Sequence, residues 1–310
     1  MFNILGRRYL FFGISLILIL PGLLIIIFGG LNLSVDFTGG TLVELSFESG
    51  TTPPPEEVIG VYNQFGVSDV QVQTTGDNTI IARSSFLEDD TRANIITTIE
   101  EQFNDPATIV RIDSVGATIG REVTLRAALA VAVAAIIVVI YITFAFRGVP
   151  NAFRNGVCAI FAEVHDVLIV ISLTAIGSLL WGWQVDALFL TALLTVIGFS
   201  VQDTIVVFDR IRENSTIYRR LPFEILVNHS IIQTLQRSIN TQLMTVEFML
   251  LALVLFGGLT LRQFSVTLLV GLLSGTYSSI FVAAPILVVW ENREWRFWFG
   301  RGKKEKQVTA

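Results

Sequence analysis

Six ionisable side chains stand inside long stretches of this chain that are otherwise apolar: Glu163, His165, Asp166, Asp203, Arg237 and Glu247. Placing a charge in hydrocarbon is costly, so ionisable groups there are candidates for carrying or relaying charge. Asp203 carries the strongest signal. It interrupts the run 187–208, and six residues after it the cluster Asp209-Arg210-Ile211-Arg212-Glu213 marks a return to water. At about 1.5 Å per helical residue, Asp203 lies roughly 9 Å inside that boundary. Desolvation alone favours the neutral acid, whereas a nearby arginine favours the carboxylate, so small movements between the two would load and release a proton. Arg237 is the candidate arginine. Thr241 and Thr245 follow it at four-residue spacing and share its helix face, with Asn240 close by. The competing reading is a fixed ion pair of Asp203 with Arg237 that only packs two helices.

Glu163 and Asp166 also share a face, whereas His165 points about 100° away from Asp166, so those two cannot jointly grip one ligand. Bonding to a neighbouring helix is as good a reading for these residues as proton handling, and Asp166 stays a candidate for the proton path. Glu247, about 15 Å along its helix from Arg237 at 1.5 Å per residue, is a candidate polar step toward the far side of the membrane. Other chemistries lack their residues. Cys158, the only cysteine, has no disulfide partner and no companion metal ligands, and reads as a small buried hydrophobe. There is no ligand cluster for haem, zinc or iron–sulfur and no Gly-x-x-x-x-Gly-Lys-Ser/Thr loop for ATP, so no cofactor is expected and the energy source lies elsewhere.

The elements that must position these groups are membrane helices. With 52% hydrophobic and 15% charged residues and a mean hydropathy of +0.66, the chain lies far from a soluble globular profile. Crossing hydrocarbon takes about 20 apolar residues, and runs of that kind fall near 10–30, 124–146, 156–179, 185–208, 238–257 and 264–290. The expectation is a polytopic α-helical membrane protein of six spans. The first follows Arg7 and Arg8, is long, and lacks an Ala-x-Ala site after it, so it reads as an uncleaved anchor. Placing the N-terminus inside puts 15 of the 21 Lys and Arg residues on the cytoplasmic side, which predicts that both termini are cytoplasmic. The net charge of -5 comes from the acidic segment between the first two spans and argues against nucleic acid as a partner. The expected organisation is a short N-terminus with the first span over 1–30, a soluble insert over 31–123, five spans over 124–290 and a basic cytoplasmic tail over 291–310. Trp290, Trp295 and Trp298 beside that tail suit an interfacial anchor on anionic lipid.

The insert changes period as a small folded domain does. Alternation over 41–48, with Val43, Leu45 and Phe47 on one face, predicts a strand. A short helix follows Pro53-Pro54-Pro55 over 56–65. Two strands over 69–74 and 79–84 are joined by the turn Gly76-Asp77-Asn78, a helix over 90–103 shows Ile95, Ile96 and Ile99 on one side, and 109–115 returns to strand. The order βαββαβ is that of a ferredoxin-like fold, which hosts many activities and names none. The insert lacks histidine, cysteine and any serine near a base, so binding or mechanical coupling outranks hydrolysis. Its linkers contain Asp36, Gly39, Gly40 and Gly120, where glycine permits a tight turn or a hinge. In the last apolar run Gly271, Gly275, Ser279 and Ala283 form a small-residue stripe that lets helices approach closely.

Five stretches together resemble the SecF family of the bacterial protein-export machinery, the smaller partner of SecD in the resistance-nodulation-division superfamily. They are Val35-Asp36-Phe37-Thr38-Gly39-Gly40, the segment 116–122, His165-Asp166, the run GFSVQDTIVVFDRIREN over 198–214, and 228–245. The resemblance spans nearly the whole chain. It implies six spans, a periplasmic domain between the first two, an inner-membrane location, and SecD as a partner with six further spans. It also implies a task without enzyme activity: using the proton-motive force, with SecD, to help late steps of preprotein translocation through SecYEG, with YajC and the YidC insertase as further partners. By motif position Asp203 corresponds to the family's functional acid in its fourth span and Arg237 to the arginine of its fifth, a second acid lying in SecD. Two departures stand out. Gln242 and Met244 occupy positions where the family usually has small hydroxyl residues, and Glu247 one where it is usually apolar.

Two other classes compete. A proton-coupled exporter of small molecules fits the helix chemistry, but a single compact insert is small for a substrate-binding porter domain. An intramembrane aspartyl protease using Asp166 and Asp203 would need Tyr-Asp and Gly-x-Gly-Asp contexts, and His165-Asp166 and Gln202-Asp203 stand there instead.

Overall fold

The computed structural model describes residues 3–75, 78–145, 152–256 and 259–294. The turn expected at 76–78 and the end of the span expected over 238–257 lie partly outside those residues, and the basic tail with Trp295 and Trp298 lies outside them beyond 294. The chain forms two compact units, one of Leu33–Ala130 and one of the flanking segments up to Asn32 and from Val131 onward.

The unit Leu33–Ala130 starts with a single helical turn, α2 (Val35–Thr38), capped by Ser34 Oγ accepting from the Asp36 N–H at 3.2 Å. Strand β1 (Gly40–Phe47) follows, then α3 (Pro55–Gln64), β2 (Gln71–Thr75), β3 (Thr79–Ser84), α4 (Asp89–Phe103) and β4 (Ala107–Val115). α3 begins on a proline, whose missing N–H is not needed there, and both helices carry two acids in the first turn, facing the positive end of the helix dipole. The strands form one antiparallel sheet in the order β2-β3-β1-β4. One face of β1, with Val43, Leu45 and Phe47, joins Val58, Val61 and Tyr62 of α3 and Ile95 and Ile99 of α4 in a core.

The other face of β1 is also covered, and it carries Glu44, only 5% exposed. Glu44 pairs across the sheet with Ile81 and Arg111, and Arg111 meets Asp113 at 2.5 Å. Burial raises the Glu44 carboxyl above its ordinary range, and Arg111 and Arg83 oppose this only in part, with Asp113 pushing the same way as burial. The turn into β1 needs glycine. Gly39 and Gly40 have φ of +74° and +129°, and a Cβ on Gly39 would lie 2.7 Å from Ala117 Cα. A Cβ on Gly120 would lie 2.6 Å from Gly39 N, where α5 (Ala117–Ala145) begins. Thr124 Oγ1, one turn further, stands 2.9 Å from the Phe37 carbonyl.

The other unit contains α1 (Arg8–Gly29), the later part of α5, α6 (Ala152–Trp181), α7 (Ala187–Ile217), α8 (Phe223–Phe256) and α9 (Leu259–Ser278). α9 continues through a π-helical segment, Ser279–Ala283, into α10 (Ala284–Glu291). Among the described residues five helical segments are long and apolar enough to cross a membrane: Leu5–Gly29, Ala117–Ala145, Phe153–Trp181, Ala187–Ile217 and Leu261–Glu291. The run of α8 is interrupted by Gln236, Arg237, Asn240, Gln242 and Glu247. α7 does not stop at its charge cluster but runs on to Ile217. Small residues set the closest approaches. Gly22 of α1 lies on Ser172 of α6, Gly271 of α9 on Val196 and Val170, and Gly275 on Ser200, so the small-residue stripe packs within this chain.

At the helix ends near residue 8, Arg8 pairs with Glu224 at 2.9 Å and Glu294 at 2.6 Å. Burial alone would raise the Glu294 carboxyl, but hydrogen bonds from Tyr9, Asn292 and Arg8, together with the Arg8 charge, hold it below its ordinary value.

Two outcomes follow for the unit Leu33–Ala130. Because the folded Glu44 carboxyl binds its proton more tightly than an unfolded one, its contribution to stability is full below the ordinary carboxylate range and is lost as the pH rises through the raised value. Glu44→Gln therefore raises the melting temperature of the detergent-solubilised chain at pH 7.5 and flattens its fall above about pH 4.5. Gly120→Ala costs about 1–3 kcal/mol through overpacking against backbone atoms, and Gly39→Ala costs more because its φ is also disfavoured, as thermal unfolding would register.

Candidate functional site

α7 is started by Asp186, whose Oδ1 accepts from the Phe189 N–H at 2.7 Å. From there Val196, Ser200, Thr204 and Val207 form a buried stripe, with Asp203 at its edge. Thr276 Oγ1 of α9 stands 2.8 Å from Asp203 Oδ2 and 3.1 Å from Gln242 Oε1 of α8. Three helices thus meet at one hydroxyl. Beside it lies a small cavity of about 10 Å³, lined by Phe199, Gln202, Asp203, Thr241, Gln242, Leu272, Gly275 and Thr276. Gly275 keeps this junction tight, since a Cβ there would lie 3.2 Å from Ser200 Cα. Arg237 lies within electrostatic range of Asp203, yet the two form no ion pair among the described residues.

The other candidates on α8 follow one face outward. Thr241 Oγ1 donates to the Arg237 carbonyl at 2.9 Å and Thr245 Oγ1 to the Thr241 carbonyl at 3.1 Å, a back-bonding pattern that leaves each hydroxyl oxygen able to accept. Glu247 is exposed on this chain. Asp36, Gly39, Gly40 and Gly120 lie in the unit Leu33–Ala130; the three glycines sit against backbone atoms, and the Asp36 N–H donates to Ser34 Oγ.

Asp166 occupies a different setting. It is fully buried and accepts from Ser200 of α7 at 2.5 Å and from Ser274 and Ser278 of α9 at 2.6 Å each. Neighbouring helical positions point apart, but His165 turns its ring so that Nδ1 lies 3.0 Å from Asp166 Oδ1, while Nε2 lies 2.9 Å from Ser15 Oγ of α1. One ring nitrogen thus faces the Asp166 carboxyl and the other the Ser15 hydroxyl, which links α6 to α1. Tyr277 OH, 3.4 Å from Ser15 Oγ, donates to the Phe11 carbonyl. Four helices are stitched together through one carboxylate and its neighbouring imidazole. No group of His, Cys, Asp and Glu able to hold a metal occurs among the described residues.

The partners of both acids escaped sequence reasoning. Ser274 and Ser278 stand four residues apart in an apolar run, the spacing that presents two hydroxyls on one face, and that signal was available. Thr276 and Ser200 give no comparable sign, because which acid a lone hydroxyl meets depends on helix pairing. Ser278 immediately precedes the π-helical segment, a distortion frequent at functional sites.

The stretches that build both clusters coincide with known family patterns. The family model described as protein export membrane protein SecD/SecF, C-terminal, matches residues 95–293, and the SecD/SecF GG motif matches 24–51, which includes Gly39 and Gly40. A protein translocase subunit SecF of Anaerolinea thermophila is 66% identical over 98% of this chain and 99% of its own length. Its counterpart in Thermobaculum terrenum is 42% identical over the full length of both. The crystal structure of SecDF, a translocon-associated membrane protein from Thermus thermophilus, superposes with a TM-score of 0.80 at 33% identity, covering 94% of this chain and 39% of that longer one. Identity of this extent over whole chains, with the family pattern laid across the helices that hold Asp166 and Asp203, means that the chain belongs to the SecF family.

Proposed function

We propose that this chain is the proton-responsive SecF subunit of a protein translocase, working with a SecD-type chain to promote late steps of preprotein translocation through a SecYEG channel. The observation that carries this reading is the state of Asp203: an acid inside an apolar helix, met by one hydroxyl, with an arginine in range but not in contact. A carboxylate so sparsely satisfied can change its protonation at small cost, which a saturated one cannot. Relatives in which SecD and SecF are fused in one polypeptide support SecD as the partner. We place a second acid there, beside Arg237, with YajC and YidC as further partners, anionic lipid at the basic tail, and a transmembrane proton gradient in place of any cofactor.

The finer architecture belongs to the same proposal. α8 acts as a fifth span, with its polar face of Arg237, Thr241 and Thr245 turned to the proton path, and Leu261–Glu291 acts as the sixth. The sheet order β2-β3-β1-β4 with α3 and α4 on one face supports a ferredoxin-like reading of the insert, which lies in the periplasm if both termini are cytoplasmic. No enzyme activity is assigned. A protease dyad needs two carboxylates sharing a proton, and among the described residues Asp166 and Asp203 have no hydrogen-bond partner in common.

Asp203→Asn keeps the side chain's shape and removes its titration. In inverted membrane vesicles it is expected to slow export after the ATP-driven stage and reduce gradient-stimulated transport to the level seen without a gradient. Unchanged gradient dependence would refute the relay. Glu247→Gln tests the outward step separately: reduced proton uptake with Asp203 intact supports it, and unaltered uptake and export remove Glu247 from the path.

A further inference from the structure

We infer that Gln242 is a positioning residue that reads the protonation state of Asp203 through Thr276, by reversing the direction of a two-bond hydrogen-bond chain. The inference rests on the reading of Asp203 as a proton site. Thr276 has one hydroxyl proton, yet its Oγ1 stands 2.8 Å from Asp203 Oδ2 and 3.1 Å from Gln242 Oε1. When Asp203 is ionised both of those oxygens are acceptors, and one proton cannot serve them both. The primary amide resolves the conflict, because its two ends differ only in donor and acceptor character. With Asp203 protonated, its O–H donates to Thr276 Oγ1 and Thr276 donates to Gln242 Oε1. With Asp203 ionised, Thr276 donates to the carboxylate and the amide turns over so that Nε2 donates to Thr276 Oγ1. Each state has the same number of hydrogen bonds, and the proton lost from Asp203 is the only atom that leaves.

Two further observations fit this exchange. Gln242 Nε2 is buried and has no hydrogen-bond partner among the described residues, which is the orphaned donor that the protonated arrangement leaves behind. The adjoining cavity of about 10 Å³, lined by Asp203, Gln242 and Thr276, is of the size that admits one water. A water there accepts from the amide NH2 in one orientation and donates to the carbonyl in the other. A leucine would offer neither, and a small hydroxyl residue would be too short to span from α8 to Thr276. Within the apolar stretches packed against α7, the titratable groups are Cys158, Glu163, His165 and Asp166 on α6, Arg237 and Glu247 on α8, and Tyr277 on α9. Of these, Arg237 is the one whose charge acts on Asp203. The amide therefore couples α8, the helix bearing that arginine, to the proton on α7.

The test is the pH profile of proton uptake by the chain, co-purified with its SecD-type partner and reconstituted in proteoliposomes. Gln242→Leu leaves the Thr276 hydroxyl proton without an acceptor when Asp203 is protonated, which is costlier than the unused lone pair it leaves when Asp203 is ionised. The midpoint should then move toward acid by about one pH unit. Thr276→Val cuts the chain in the middle, so on that background Gln242→Leu should produce no further shift, whereas Thr276→Ser keeps the hydroxyl and should restore the midpoint. Additive shifts in the double variant, or a midpoint in Gln242→Leu equal to that of the parent, overturn the inference. Asp203→Asn separates the two levels: if it leaves proton uptake unchanged, the function reading itself fails, and if it abolishes uptake while the Gln242 and Thr276 effects add independently, only the relay fails. Circular dichroism and partner co-purification of each variant separate these outcomes from misfolding, and a variant that fails to fold is replaced by Gln242→Met, for which the same acid shift is required.

Discussion

A carboxylate sealed among apolar helices must find its donors on those helices, and Asp166 draws them from two others while His165 beside it reaches a third. Three hydroxyls at 2.5 to 2.6 Å and one imidazole fill its acceptor sites. Such a cluster holds only if the helices sit at the right depth and rotation, because each donor is short and has little reach. Serine is the residue that meets this condition, and it also lets backbones come close. The same stretch of α9 uses Gly271 and Gly275 to approach α7, which brings Ser274 and Ser278 within reach of Asp166. Removing one partner from such a network leaves a buried polar group short of a bond, so the cluster ties together α1, α6, α7 and α9.

Against that fixed anchor, Asp203 stands out by how little holds it. One turn along α7 from Ser200, it has a single hydroxyl partner among the described residues and an arginine in electrostatic range. The contrast gives the two acids different work. Asp166 has hydroxyl donors on both of its carboxylate oxygens, whereas Asp203 is met by the Thr276 hydroxyl. Thr276, between Ser274 and Ser278 in sequence, points to the Asp203 side of α9 while its neighbours point to Asp166. A shift of α9 would therefore be felt by both acids at once.

The insert is governed by a different constraint, the distance between backbones. Gly39, Gly40 and Gly120 occupy places where a side chain would meet main-chain atoms, and two of them have positive φ. Glycine at these positions is a requirement of close packing, so the start of α5 is held against α2 by contact and by Thr124 at the Phe37 carbonyl.

Much of the fold was legible in the chain because its signals are local. Apolar runs of membrane-crossing length, the two-residue alternation around Val43, Leu45 and Phe47, and the acid-led starts of α3 and α4 depend on neighbours in sequence, and β1, α3, β2, β3, α4 and β4 lie within two residues of their expected bounds, whereas the single turn α2 and the start of α5 at Ala117 fall in stretches read as linkers. Composition likewise determined that Asp203, Asp166 and Arg237 are costly where they stand and so call for partners. What those partners are was decided only by tertiary structure. A hydroxyl reaches about one hydrogen-bond length, so whether Ser200 serves Asp166 or Asp203 turns on the rotation of α7 against α6 and α9, which no spacing along the chain records. The same holds for Gln242, which reads in sequence as a departure from a family pattern and in the folded chain as the third member of a bond through Thr276 to Asp203.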